Sequence, residues 1–173
     1  RSFLTVDENL CHTLLLDPPW NETGGGVIRR GADRHYPLMK TPDIIRLVRE
    51  TTADVLDKDA HIYCWVTNNF FPDGIKLVEA LGFRYVTKIT WTKGKITATE
   101  GKKFLYVPDM DEIEPIEFEK EKPGLGQYFR GLTEDCIFGV RGKLPYKIDP
   151  VTGKRCQGIT GFIAPREEHS KKP

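Results

Sequence analysis

Short, nearly continuous apolar runs that alternate with helix-like segments constrain the fold of this 173-residue chain more than any other feature. Strands are predicted at residues 12–16, 61–66, 84–91 and 136–140, and helices begin near Thr41 and Pro72. Buried strands that alternate with helices are typical of a parallel sheet covered on both faces. The pattern therefore predicts an α/β fold with a doubly wound, mostly parallel sheet, in one domain spanning residues 1–173.

The first helix has a clear amino-terminal signal. Thr41 is a favoured capping residue, and Pro42 stands in the first helical position after it. The spacing of apolar residues predicts a buried face made of Ile44, Leu47, Val48 and Val55.

Residues 94–133 are predicted to form an insertion, made of a hairpin and an acidic loop. Between residues 109 and 121 lie seven acidic side chains and one lysine, which leaves 25 basic and 18 acidic residues elsewhere, a net charge of +7. That surplus is compatible with a polyanionic partner. The acidic stretch is interpreted as a solvated loop; the alternative is a contact site for a protein partner.

Cysteine and histidine spacing argues against a metal site. The four cysteines form no C-x-x-C pair, and the four histidines lack ligand spacing, so no metal is predicted. No apolar stretch approaches the roughly 20 residues that span a bilayer. The chain is therefore predicted to be cytoplasmic, with reduced cysteines and no membrane contact.

The tetrapeptide Asp17-Pro18-Pro19-Trp20 ends the first predicted strand and carries the main chemical signal. An aryl amine is a poor nucleophile because its lone pair is delocalised into the ring. A carboxylate and a carbonyl that each accept one N–H bond favour a pyramidal nitrogen, and Asp17 and Pro18 supply these acceptors. The two prolines fix the backbone, and Trp20 offers a face on which a flipped base can stack. Asp-Pro-Pro is also an ordinary turn-former after a strand.

Two further positions have both a functional and a structural interpretation. Tyr36, within a long glycine-rich loop, either lines a base pocket or packs that loop onto the core. Asn68 follows the second strand, where ligands bind in open α/β sheets, although polar residues also simply end strands. Glu134 and Lys172 are unremarkable in isolation.

Taken in order, the motifs resemble the family of the catalytic subunit of the mRNA adenosine N6-methyltransferase, and its bacterial and phage members most closely. The matching blocks are LLDPPW (15–20), RHYPLM (34–39), WVTN (65–68), LGF (81–83), ITWTK (89–93), FRG (129–131), EDCIFGVRG (134–142) and REEHSKKP (166–173). The resemblance implies a Rossmann-like fold, S-adenosylmethionine as cofactor and a nucleic acid as substrate.

The resemblance also implies roles for individual residues. Asp17 and Pro18 would hold the target amine in the loop that includes Pro19, and Trp20 would stack on the base. The remaining substrate residues would be Tyr36, Asn68, Glu134, Ser170 and Lys172. Asp17, Tyr36 and Lys172 would also contact the cofactor. Family members continue past the Lys-Pro pair with strands that bind much of the cofactor, so the C-terminal strands and this cofactor half are expected beyond residue 173.

The leading functional hypothesis is methylation of adenine N6 in DNA, in a bacterium or a phage-infected host. DNA is preferred over RNA because the bacterial and phage resemblance is closer. RNA adenine N6 methylation and cytosine N4 methylation are the enzymatic alternatives. The alternative from another class is a catalytically silent nucleic-acid-binding subunit, and homodimeric and heterodimeric assembly both remain open.

Overall fold

The computed structural model describes residues 10–21, 37–97, 117–120, 128–144, 146–166 and 171–173, and at 95–97 and 117–120 it describes the backbone alone. Six strands, two α-helices and one 3₁₀ turn lie in these ranges. In chain order they are β1 (Cys11–Leu16), α1 (Thr41–Thr52), β2 (Leu56–Val66), a 3₁₀ turn (Asn68–Phe70), α2 (Phe71–Ala80), β3 (Arg84–Thr97), β4 (Glu117–Lys120), β5 (Thr133–Arg141) and β6 (Gly161–Ala164). The chain is therefore a mixed α/β protein.

The sheet is mixed, which corrects the prediction of a mostly parallel sheet. Its strand order is β1-β2-β5-β3-β4, with β6 paired to β3. The β1-α1-β2 unit is parallel, as the alternation predicts, and Leu16 pairs with Cys64. However, β5 lies against β2 in the antiparallel direction, with Val66 opposite Asp135. The direction of β5 depends on its pairing with a strand that is distant in the sequence, and local apolar periodicity does not encode such pairing.

The chain divides into two compact units, Arg1–Ile89 with Asp135–Thr160 and Thr90–Glu134 with Gly161–Pro173. The predicted insertion, residues 94–133, falls within the second unit. The description of the whole chain as a single methyltransferase domain stays a prediction.

The first unit is built around β2. Ile62, Cys64 and Val66 of this strand have almost no exposed surface, and because residues two apart share a face, they form one buried face of the strand. They pack with buried residues of α1, α2 and β5, namely Ile44, Val48, Leu77, Val78 and Ile137. Each such side chain contributes roughly 1.5–3 kcal/mol through burial. Gly74 allows the close approach of α2, because a Cβ there would lie 2.4 Å from Val66 Cγ1.

Two details of α1 differ from the sequence prediction. The capping residue is Lys40, without a side-chain cap; the Thr41 hydroxyl instead donates to Asp73 Oδ1 at 3.1 Å, which ties α1 to α2. Ile44 and Val48 are buried as predicted, but Leu47 and Val55 are nearly half exposed. Val55 lies beyond the end of the helix, so helical spacing does not apply to it.

The second unit contains the carboxyl-terminal part of β3, which pairs with two other strands. Residues Thr90–Lys93 of β3 pair in parallel with β6, and residues Gly94–Thr97 pair in the antiparallel direction with β4. Because β4 is the segment Glu117–Lys120, part of the predicted acidic loop is a strand. Within the described ranges, neither α-helix is long and apolar enough to cross a membrane.

Candidate active site

The first candidate region is the loop at the carboxyl end of β1. Asp17 is exposed and Pro18 is buried. The Trp20 amide donates to the Pro18 carbonyl at 2.8 Å. This bond closes a three-residue turn centred on Pro19, whose ring fixes φ near the value that such a turn requires. The two prolines thus impose a tight turn directly after the carboxylate.

Trp20 fastens this turn to the core. Its indole N–H donates to the Trp65 carbonyl at 3.0 Å, and its ring stacks on Phe70 with centroids 5.7 Å apart. The Met39 amide donates to the Pro19 carbonyl at 2.8 Å, so the chain that returns from the glycine-rich segment closes against the same turn. The loop is held by burial and main-chain hydrogen bonds.

These contacts bear on the roles predicted for the loop. Only 5% of Trp20 is exposed and one ring face lies against Phe70, so in this conformation its surface is used by the protein. Base stacking by Trp20 stays a prediction. The Pro18 carbonyl accepts the Trp20 amide and has a second lone pair with which to accept another N–H bond.

The carboxyl ends of β1 and β2 meet at this loop. Since Leu16 pairs with Cys64, Asp17 lies beside the end of β2. Burial raises the pKa of the Cys64 thiol, and the negative charge of Asp17 contributes to the same shift. Asn68 is exposed at the start of the 3₁₀ turn that also contains Phe70. The structure therefore places two predicted site residues, Asp17 and Asn68, at one edge of the first unit.

Sequence reasoning missed Thr67 at this edge. Its hydroxyl oxygen is buried and has no hydrogen-bond partner among the described residues. An unsatisfied buried hydroxyl costs about 1–3 kcal/mol, and such groups in native proteins call for an explanation, a bound ligand group being one. Nothing in the sequence distinguishes Thr67 from an ordinary strand-ending threonine.

The second candidate region lies in the second unit and is a cluster of three charged side chains. Lys172 Nζ lies 3.0 Å from Glu134 Oε2, and Lys93 Nζ donates to Glu134 Oε1. The three side chains are 12–22% exposed. We call Lys93, Glu134 and Lys172 the lysine–glutamate cluster. The structure thus brings Glu134 and Lys172 together, and their assignment as substrate-binding residues stays a prediction.

The carboxylate of the cluster is held in its charged form. Burial alone raises the pKa of Glu134, but the hydrogen bond from Lys93 and the positive charges of Lys172 and Lys93 outweigh burial and hold its pKa below the ordinary value. Two cations and one anion leave the cluster with a net charge of +1. It can therefore accept an anionic group of a ligand.

Lys93 is a cluster member that sequence reasoning did not single out as a site residue. It is separated from Glu134 by 41 positions. One signal was available: Trp91 and Lys93 are two apart on a strand and share a face, and Lys93 Nζ lies 5.1 Å from the Trp91 ring centroid. The Lys93 amide also donates to the Leu132 carbonyl at 2.9 Å, next to the start of β5.

Two predicted site residues, Tyr36 and Ser170, lie outside the described residues, and their assignments stay predictions. In the part of the chain that the structure describes, no group of three or more His, Cys, Asp and Glu side chains is arranged to hold a metal ion.

Comparison with known proteins supplies the family. No match was found among the curated proteins. The MT-A70 family model matches residues 11–173, a range that includes β1, the proline turn and the whole lysine–glutamate cluster. Members of this family are generally methyltransferases and typically use S-adenosylmethionine. The chain therefore belongs to the MT-A70 family, the family of the N6-adenosine methyltransferase catalytic subunit.

Proposed function

We propose that this protein transfers a methyl group from S-adenosylmethionine to the exocyclic N6 of adenine in DNA. The observation that carries the proposal is the geometry of the loop after β1, where an exposed carboxylate precedes a turn fixed by Pro18, Pro19 and the buried Trp20. Family membership supports the reaction class. The choice of DNA rests on the closer resemblance to bacterial and phage members.

The loop is suited to activating an amine. The Asp17 carboxylate accepts one N–H bond of the target amino group and the remaining lone pair of the Pro18 carbonyl accepts the other. Both bonds draw the nitrogen towards a pyramidal geometry and free its lone pair for attack. Asp17 and Pro18 would thus aim that lone pair at the methyl group that bound S-adenosylmethionine would supply. The extra proton on nitrogen leaves along the bond to Asp17 or to water.

Residues of the chain fit the proposed cofactor. When bound, S-adenosylmethionine supplies a methyl group on a positively charged sulfur. Lys172 would hold its carboxylate, as the family resemblance implies, beside Lys93 and Glu134 in the lysine–glutamate cluster, where two lysines meet one carboxylate. Asp17 and Tyr36 complete the proposed contacts. The Asp17 carboxylate would also favour the positive charge that develops on the amine nitrogen during transfer.

Product analysis tests the proposal. The full-length gene product is incubated with methyl-labelled S-adenosylmethionine and with single- and double-stranded DNA and RNA of one sequence, and the digested nucleosides are identified by mass spectrometry. We expect N6-methyladenine in DNA. A control oligonucleotide without adenine should receive no label.

Each alternative has its own result. N6-methyladenine confined to RNA would replace DNA by RNA as the substrate, and N4-methylcytosine would change the target base. Binding of nucleic acid without any methylation, in a preparation that binds the cofactor, would support a catalytically silent subunit and contradict the proposal.

A further inference from the structure

The chain after β5 forms a small hairpin that neither the proposed chemistry nor the family assignment accounts for. The Cys156 amide donates to the Lys147 carbonyl and the Asp149 amide to the Lys154 carbonyl, each at 2.9 Å. At the tip, the Asp149 carboxylate accepts the Val151 amide at 2.7 Å and the Thr152 amide at 3.2 Å. We call residues 146–156 the basic hairpin. It is ordered by its own hydrogen bonds.

Charge is concentrated on and next to this hairpin. Residues 143–156 contain four basic side chains and one carboxylate, a net charge of +3 in a chain whose total is +1. The basic residues are Lys143, Lys147, Lys154 and Arg155, and all four are exposed. The one carboxylate, Asp149, is engaged by the tip amides, and these bonds lower its pKa. The outward charge of the segment is therefore almost entirely positive.

The hairpin also presents a stacked pair. The Arg155 guanidinium lies 3.7 Å from the centroid of the Tyr146 ring, while half of Tyr146 is exposed. Arginine planes and aromatic rings are the surfaces on which unpaired bases stack in single-strand-binding proteins. The exposed Val151 and Ile148 add apolar surface beside the charges.

A surface of this composition favours one class of partner. Lysine and arginine side chains neutralise phosphates, and an exposed stacked pair offers a plane for a base that is not already paired. An acidic protein would match the charge but would not require the stacked pair. The hairpin therefore suits a single strand better than a duplex or a protein.

We propose that the basic hairpin binds a single strand of the substrate DNA, with Lys147 and Lys154 on phosphates and with a base on the Tyr146–Arg155 pair. The choice of DNA rests on the proposed function. The hairpin adds affinity for the substrate and takes no part in methyl transfer itself.

Equilibrium binding tests this with the full-length protein and a fluorescent, adenine-free single-stranded DNA, without cofactor. The double variant Lys147→Gln/Lys154→Gln should weaken binding and reduce the slope of log K against log salt by about 1.4, since each phosphate contact on a single strand contributes about 0.7. Tyr146→Ala should weaken binding about fivefold or more and leave the salt slope unchanged. The control is Arg46→Gln/Lys76→Gln, which removes the same charge from α1 and α2, where both side chains pair with aspartates.

The outcomes separate this proposal from the proposed function. Equal affinities and slopes for the hairpin and control variants would overturn it, even if the protein methylates DNA. If the hairpin variants lose as much affinity for polyglutamate, used as a competitor, as for DNA, the proposal is overturned in favour of an acidic protein partner. If they lose affinity for single-stranded RNA but not for single-stranded DNA, the proposed DNA partner is overturned in favour of RNA. Because the probe lacks adenine, the expected result would support the hairpin assignment even if no methylation were found.

Discussion

The loop after β1 in the first unit and the lysine–glutamate cluster in the second unit are two candidate functional regions, and they are held by different forces. The loop is fixed by a buried indole and by two main-chain hydrogen bonds of 2.8 Å, which the carbonyls of Pro18 and Pro19 accept. The cluster is fixed by two cations on one carboxylate, and Lys93 Nζ lies 5.1 Å from the centroid of the Trp91 ring. Geometry set by packing is insensitive to pH, whereas geometry set by charge is not.

This difference determines whether stability and the proposed chemistry depend on the same side chain or on different ones. In the loop, the residue proposed to react, Asp17, is exposed and the residue that supports it, Trp20, is buried, so the two effects belong to different side chains. In the cluster, Glu134 is both the proposed functional group and the centre of the ion pairs. Substitutions should therefore separate folding from activity in the first region and not in the second.

The largest effect is expected for Trp20→Ala. Removing a large buried aromatic leaves a cavity and typically costs about 3–5 kcal/mol of the free energy of unfolding. Urea denaturation measures it, with Phe129→Ala as the control, because the Phe129 ring is 91% exposed. A loss below about 1 kcal/mol would mean that Trp20 leaves its buried position easily, which would favour the base-stacking assignment.

Asp17→Asn sharpens the comparison from the other side. The substitution keeps the shape of the side chain but removes its charge, so the rate of methyl transfer should fall about 10²- to 10³-fold, as it does when one preorganised catalytic hydrogen-bonding group is removed. The free energy of unfolding should change by less than about 0.5 kcal/mol, because Asp17 is exposed. Asp54→Asn, at an exposed turn after α1, is the matched control. Full activity of folded Asp17→Asn protein would remove Asp17 from the mechanism.

The sequence predicted the elements of the first unit well, because its patterns are local. The apolar run before Asp17 marked β1, and Pro72 marked the start of α2, which ends shortly before Gly82 with its positive φ of 82°. The strand β6 was missed because Gly161–Ala164 is short and alternates between exposed and half-buried. The antiparallel position of β5 was missed because it depends on pairing with β2 across about 70 residues of chain.

The candidate site divides in the same way. The proline turn could be predicted from four adjacent residues, since the ring of Pro19 limits its own backbone. The burial of Trp20 could not, because Phe70 and the Trp65 carbonyl come from a different strand end. Lys93 was missed for the same reason, since only the fold brings it to Glu134. Contiguous residues such as those of the proline turn can be read from the sequence, whereas the contacts that surround Trp20 and Lys93 depend on the fold.

Lys93→Met tests the charged region. Glu134 keeps Lys172, and the pair is slightly exposed, so we expect the loss in the free energy of unfolding to be about 1–2 kcal/mol, between the values for surface and buried ion pairs. Because the folded pKa of Glu134 is lowered from 4.5, this stabilisation is fully present above that pH and disappears as the pH falls through the folded pKa.

The free energies of unfolding of the wild type and of Lys93→Met, measured by denaturation from pH 7 down to pH 3, should therefore approach each other as the pH falls. Lys172→Met is the comparison, and its effect should be smaller because Lys172 is the more exposed lysine. A difference that stays constant over the whole range would mean that Lys93 acts through packing on Trp91 and not through the carboxylate.

The smallest effect is expected for Thr67→Val, at the loop edge of the first unit. Valine has the shape of threonine without the hydroxyl, and the Thr67 hydroxyl is buried without a partner among the described residues. Its removal should leave the free energy of unfolding unchanged or raise it by up to about 1 kcal/mol. Thr52→Val is the matched control, because the Thr52 hydroxyl donates to the Val48 carbonyl at 2.7 Å, so its loss should destabilise the protein by about 1 kcal/mol.

If the Thr67 hydroxyl serves a ligand at the carboxyl end of β2, Thr67→Val should also weaken substrate or cofactor binding by a few-fold while the fold is kept. A destabilisation equal to that of Thr52→Val would show instead that the hydroxyl is satisfied within the protein, and that this edge of the loop region, like its tryptophan, serves the fold.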